Sequence, residues 1–227
     1  MLQAAFDAFN QGDYSSALTH FTALAEENNP TALSSLGYMY QKGLGVELNL
    51  NRSFELYTTA AQLNEPTALY NLALLYADGV TVAHDQFKSH ELMMQAAVLE
   101  FPQAQYEAGL NLERGLGCIQ NFSEAAFWYE EAAKRGNAHG FNNLGVLYKE
   151  GHGVIQDFTR AFICFSRAAA MNLPEAQYNL GLMYDQGLGT DADHDTALEW
   201  CRKAAYNGHE KAKRIIQGLQ EEGKIVW

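Results

Sequence analysis

The chain has 227 residues, 48% of them hydrophobic and 12% aromatic, which is enough to bury a sizeable core and excludes intrinsic disorder as the main state. Its longest apolar runs, such as Leu72 to Ala77, fall far short of the ~20 residues of a membrane-spanning helix, so a soluble chain without membrane insertion is expected. Fifteen Lys plus Arg against 27 Asp plus Glu give a net charge of −12, and like-charge repulsion excludes nucleic acid and anionic membranes as general partners.

In chain order, residues 1–7 carry no basic start and their apolar run is broken by Asp7, so they do not read as a secretory signal. A cytoplasmic location is expected, although a periplasmic or secreted mature form would read the same way. Residues 1–29 form one short hairpin unit with Gly12-Asp13-Tyr14, Ala17, Phe21 and Leu24. From there the prolines set a period: Pro30, Pro66 and Pro102 lie 36 apart and Pro174 follows two periods later, with Ala138 in the remaining position. The repeats are therefore 30–65, 66–101, 102–137, 138–173 and 174–209, followed by a capping helix and tail over 210–227.

Within each repeat, Ala32, Leu36, Gly37 and Tyr40 and their equivalents recur at spacings of three and four, the mark of one helix face, with proline in the first turn. Gly43, Gly79, Gly115, Gly151 and Gly187 end this first helix. A second helix starts at a capping side chain, Asp13, Asn49, Asp85, Asn121, Asp157 or Asp193, and buries Phe21, Tyr57, Met93, Tyr129, Phe165 or Cys201 together with paired alanines. Asn64, Gly136, Asn172 and Gly208 close it. A hairpin of this kind cannot bury its apolar stripe alone. The expected fold is all-α, a right-handed α-solenoid of stacked antiparallel helix hairpins.

Residues 174–189, Pro-Glu-Ala-Gln-Tyr-Asn-Leu-Gly-Leu-Met-Tyr-Asp-Gln-Gly-Leu-Gly, followed by Ala197 to Ala205 and Gly208, resemble the Sel-one-like repeat family, a relative of the tetratricopeptide repeats. Residues 102–136 match equally well. The resemblance covers 30–209, while 1–29 look closer to a plain tetratricopeptide unit. The second repeat departs most, with Ala73, Thr81, Met93 and Glu100 in place of family-typical residues. The resemblance implies a non-enzymatic adaptor, bacterial or eukaryotic, that holds a peptide or protein on a concave surface lined by the first helices.

On that first-helix face, opposite the core arc, stand Tyr38, Tyr70, Asn71, Tyr106, Glu107, Asn142, Asn143, Tyr178 and Asn179. Asn can donate to and accept from a peptide bond, and Tyr adds apolar area at low entropic cost. These are the expected partner-binding residues; packing between neighbouring first helices is the competing reading for the tyrosines. Charge is uneven, with three basic and two acidic residues in 138–173 against two basic and six acidic in 174–209. A basic partner segment could meet the latter, and an inhibitory or immunity-type protein blocking a specific enzyme is the alternative function.

Sharper chemistry does not assemble. Asp191-Ala-Asp193-His194-Asp195 lacks the glycine and terminal glutamate of a calcium loop, the seven histidines form no zinc motif, and the Gly-Leu-Gly connections lack the lysine of a phosphate loop. Cys118, Cys164 and Cys201 show no close pairing and read as reduced thiols, the last two in core columns. No catalytic residue, metal or cofactor is expected, and a monomer is.

Overall fold

The computed structural model describes residues 1–223, and Lys224 to Trp227, the end of the expected C-terminal tail, lie outside them. Among the described residues there are thirteen helices and no strand. They fall into two compact units, Met1–Gln120 and the residues from Asn121 onward.

The N-terminal unit holds α1 (Leu2–Asn10), α2 (Tyr14–Glu26), α3 (Pro30–Lys42), α4 (Leu50–Gln62), α5 (Pro66–Asp78), α6 (Gln86–Val98) and α7 (Pro102–Arg114). The second holds α8 (Phe122–Lys134), α9 (Ala138–Glu150), α10 (Phe158–Ala170), α11 (Pro174–Gln186), α12 (His194–Tyr206) and α13 (Glu210–Glu221). Within each unit every helix packs on its neighbours in sequence, so that hairpins stack into an α-solenoid.

Local chemistry fixes the helix ends as the sequence predicts. All six capping side chains, from Asp13 to Asp193, accept a hydrogen bond from the backbone N–H three residues on. Gly43, Gly79, Gly115, Gly151 and Gly187 close the first helices in the left-handed conformation. The second helices end on a left-handed residue as well: Asn64 and Asn172 take φ near 60°, and so does Glu100 at 63°, where a side chain without the local hydrogen bonding of Asn takes up the conformation.

The core is renewed at every hairpin. Phe21, Tyr57, Tyr129 and Phe165 are wholly buried beside the small residues Ala17, Ser53, Ala125 and Ala161. Cys201, the equivalent residue of α12, is only half-buried. The connections make the closest approach: a Cβ on Gly153 would come within 2.3 Å of the Phe122 carbonyl carbon, and the same contact joins Gly189 to Phe158. Ser123 Oγ also donates to the Gly153 carbonyl at 2.8 Å, so each glycine connection lies against the start of the preceding second helix.

Candidate functional site

The predicted partner-binding residues divide between the two units. In the N-terminal unit, Tyr38 on α3 is exposed, while Tyr70 and Asn71 on α5 and Tyr106 and Glu107 on α7 are half-buried. Tyr70 packs its ring 5.3 Å from that of Phe101, and burial, with Glu107 nearby, pushes its hydroxyl pKa up. This tyrosine is partly a packing residue.

Tyr38 and Asn71 instead border a cavity of about 220 Å³. Its walls are Phe6 and Phe9 from α1, Phe21 from α2 and the Tyr38 ring; Thr31, Ser34, Ser35, Thr67 and Asn71 add polar groups. The rings hold one another, Phe6 edge-on to Phe21 at 5.3 Å, Phe9 edge-on to Tyr14 at 5.4 Å and 6.3 Å from Tyr38. Glu65 completes the lining. It is 9% exposed and caps α5 by accepting from the Ala68 N–H.

In the second unit the asparagines interact with one another. Asn179 Nδ2 donates to Asn142 Oδ1 at 2.9 Å, and Asn142 Nδ2 donates to Asn143 Oδ1 at 3.2 Å, a chain that runs from α11 to α9 and couples the three amide orientations to one another. Asn142 faces inward, 8% exposed, because the first helices of adjacent repeats approach closely enough for Asn179 to reach it. Its hydrogen-bonding capacity goes largely to its two neighbours, which remain half-exposed. Tyr178 stacks on His209 at 4.4 Å and 23°.

Several polar groups at these helix junctions have no counterpart in the sequence reading. Gln177, 2% exposed, donates to the Ala169 carbonyl and accepts from Asn207 Nδ2 at 2.9 Å, tying α11 to α10 and α12. Gln105 donates to the Ala97 carbonyl in the same way. The residue before the first helix is a second capping position in several units: Asn29, Glu65, Asn137 and His209 accept from the third backbone N–H of α3, α5, α9 and α13. Polar residues directly before Pro30 and Pro66 were the available signal.

A groove of about 310 Å³ between α11, α12 and α13 contains Asp185, His194 and Cys201. His194 Nδ1 lies 2.9 Å from Asp185 Oδ1. Cys201 stands seven residues along α12 from His194, roughly 10 Å at 1.5 Å per residue, and burial raises its thiol pKa. Both facts oppose a nucleophile and base. Cys164 is likewise held protonated, its pKa pushed up to about 11 by burial. Among the described residues no group of three or more His, Cys, Asp or Glu side chains could hold a metal ion. No helix among them is long and apolar enough to cross a membrane.

An all-helical set of 36-residue hairpins, glycine-closed and carrying polar side chains on its first-helix face, defines a helical repeat protein of the α-solenoid class. The Sel1 repeat family matches residues 30–65, 66–97, 102–137, 142–173 and 174–209, and the chain belongs to that family. Its members are in general protein–protein interaction scaffolds and typically not enzymes. Among solved structures, a Sel1 repeat protein from Oxalobacter formigenes is similar with a TM-score of 0.91 and 30% identity, over 98% of this chain and 89% of its own. The protein c5321, a protective antigen present in uropathogenic Escherichia coli strains, is similar at 0.85 and 30% identity, over 92% of this chain and 45% of its own. Immunity protein Pa5087 from Pseudomonas aeruginosa, at 0.50 and 24% identity over 79% of this chain and 67% of its own, shares the fold alone. Comparison with curated protein sequences finds no match.

Proposed function

We propose that the chain is a non-enzymatic, monomeric adaptor that holds an extended segment of a partner protein on its first-helix face, in a reducing cytoplasm where Cys118, Cys164 and Cys201 stay outside any disulfide. The observation that carries the reading is the amide chain Asn179–Asn142–Asn143. Its inner bonds leave one acceptor, Asn179 Oδ1, and one donor, Asn143 Nδ2, on half-exposed residues of neighbouring first helices. A peptide backbone offers the complementary pair, N–H and C=O, and a fixed amide chain loses little freedom on meeting it. The stacked Tyr178 ring supplies a rigid apolar edge one residue away. The high thiol pKa of Cys201 and its separation from His194 support the absence of nucleophilic chemistry.

The test is affinity capture from the native host with the wild type and with Asn143→Ala/Asn179→Ala, both shown to be folded by circular dichroism. Loss of one open hydrogen bond at each end, at about 1 kcal/mol apiece, weakens binding roughly ten- to thirtyfold and empties the capture of its specific partner. A folded double variant that captures the same partner at wild-type yield would count against the reading.

A further inference from the structure

We propose that the aromatic cavity of the N-terminal unit takes the side chain of a lysine or arginine from a partner segment, with Glu65 as its counter-charge. The adaptor reading supplies the source of that side chain; the cavity's own chemistry supplies the preference for a cation.

Glu65 is the point of departure. Helix capping does not call for a charge at this position: Asn29 and Asn137 cap α3 and α9 with a neutral amide, and α7 and α11 begin at Phe101 and Leu173 with no side-chain cap. Glu65 nevertheless places a carboxylate, nine-tenths buried, against phenylalanine and tyrosine rings. One oxygen is used by the Ala68 N–H, and the other makes no hydrogen bond among the described residues and stays accessible from the cavity. Ring walls screen that carboxylate less than bulk water would, and the start of α5 supplies only a partial positive charge. A cation entering the cavity completes that compensation.

The walls select the kind of cation. Phe6, Phe9 and Tyr38 present ring surface, which suits the alkyl stem of a basic side chain and attracts its charged head, and they offer too few oxygens for a bare metal ion. A volume of about 220 Å³ admits one such side chain. Thr31, Ser34, Ser35, Thr67 and Asn71 lie around it to accept further N–H groups, although the Ser35 hydroxyl already donates to the Thr31 carbonyl at 2.7 Å. No basic residue lines the cavity. The Lys42 ammonium lies over the Tyr38 ring at 5.9 Å, which shows that ring attracting a cation without filling the space.

The probe is n-butylguanidinium, titrated into isotope-labelled protein beside the uncharged N-butylurea, with the amide shifts of Thr67, Ala68 and Asn71 as readout. Saturable shifts with the cation are expected, weakened by high salt, with N-butylurea at least about tenfold weaker. Glu65→Gln keeps an oxygen for the Ala68 N–H and should weaken the cation about tenfold while leaving the helix content unchanged. Phe9→Leu, which keeps apolar volume without the ring, should weaken it severalfold. Equal binding of the two probes, undiminished binding to Glu65→Gln, or no saturable binding of the cation to the wild type would each overturn the proposal. Asn143→Ala/Asn179→Ala is expected to bind the cation normally. If the cation binds and no partner segment does, the cavity assignment stands and the adaptor reading falls.

Discussion

A Cβ on Gly37 would stand 2.8 Å from two ring carbons of Tyr57, and one on Gly145 would stand 2.8 Å from a ring carbon of Phe165. In these two repeats the glycine of the first helix makes room for the aromatic of the second. This explains two departures of the second repeat together: Ala73 occupies the column of Gly37 and Met93 the column of Tyr57, a larger residue matched to a slimmer, more adaptable one. The Tyr57 ring is wholly buried and its hydroxyl donates to Gln41 at 3.2 Å, so it cannot swing aside. Gly37→Ala alone should therefore destabilise by up to about 2 kcal/mol, overpacking of ~1–3 kcal/mol being set against the ~1 kcal/mol that alanine gains in a helix. In Gly37→Ala/Tyr57→Met the alanine should cost nothing or stabilise. Urea unfolding of the full cycle measures this coupling, and additive effects of the two changes would refute the pairing.

At the scale of an element, α13 depends on a titratable cap. His209 Nδ1 accepts from the Ala212 N–H at 3.2 Å, which requires that nitrogen to be unprotonated, and the ring stacks on Tyr178. Burial lowers the His209 pKa below 6.5; Glu175 and Glu210 pull it upward, and Lys211 adds to the lowering. Folding thus favours the neutral ring, and the unfolded chain binds the proton more tightly. The contribution of His209 is fully present above the unfolded value of about 6.5 and is lost as pH falls through the lower folded value. Protonation also removes the acceptor and sets a positive charge at a helix N-terminus. Amide exchange at Lys213 to Ile216 should accelerate on acidification below about pH 6.5, after correction for the intrinsic rate, and His209→Asn, which caps without titrating, should flatten the dependence.

At the scale of the whole molecule, the hairpins, their caps and their glycine stops were legible because they obey local rules repeated every 36 residues. The candidate sites were only partly legible. Periodicity put Asn142 on the open face, yet its burial follows from how near Asn179 on the next helix comes; Glu65 and the phenylalanines of α1 meet only once α1, α3 and α5 are assembled. The same regularity allows a strong test. Deleting residues 138–173 joins Asn137 to Pro174 and keeps the register, so α8 should pack on α11 as it now packs on α9. Leu180 and Gly181 replace Leu144 and Gly145 in kind, and Asn137 would cap α11, which has no side-chain cap now, adding about 1 kcal/mol. One mismatch opposes it. A Cβ at Gly140 would lie 2.9 Å from the Tyr129 carbonyl oxygen and 3.1 Å from the Ala133 nitrogen, both backbone, and the shortened chain puts Ala176 there at a cost of about 1–3 kcal/mol. The shortened protein should fold with unchanged helicity per residue. Ala176→Gly should lower the unfolding midpoint of the full chain, where the alanine is buried without such a clash, and raise that of the shortened one, where relief of overpacking outweighs the ~1 kcal/mol glycine costs in a helix. The same sign in both backgrounds would show that neighbouring repeats do not exchange places as interchangeable units.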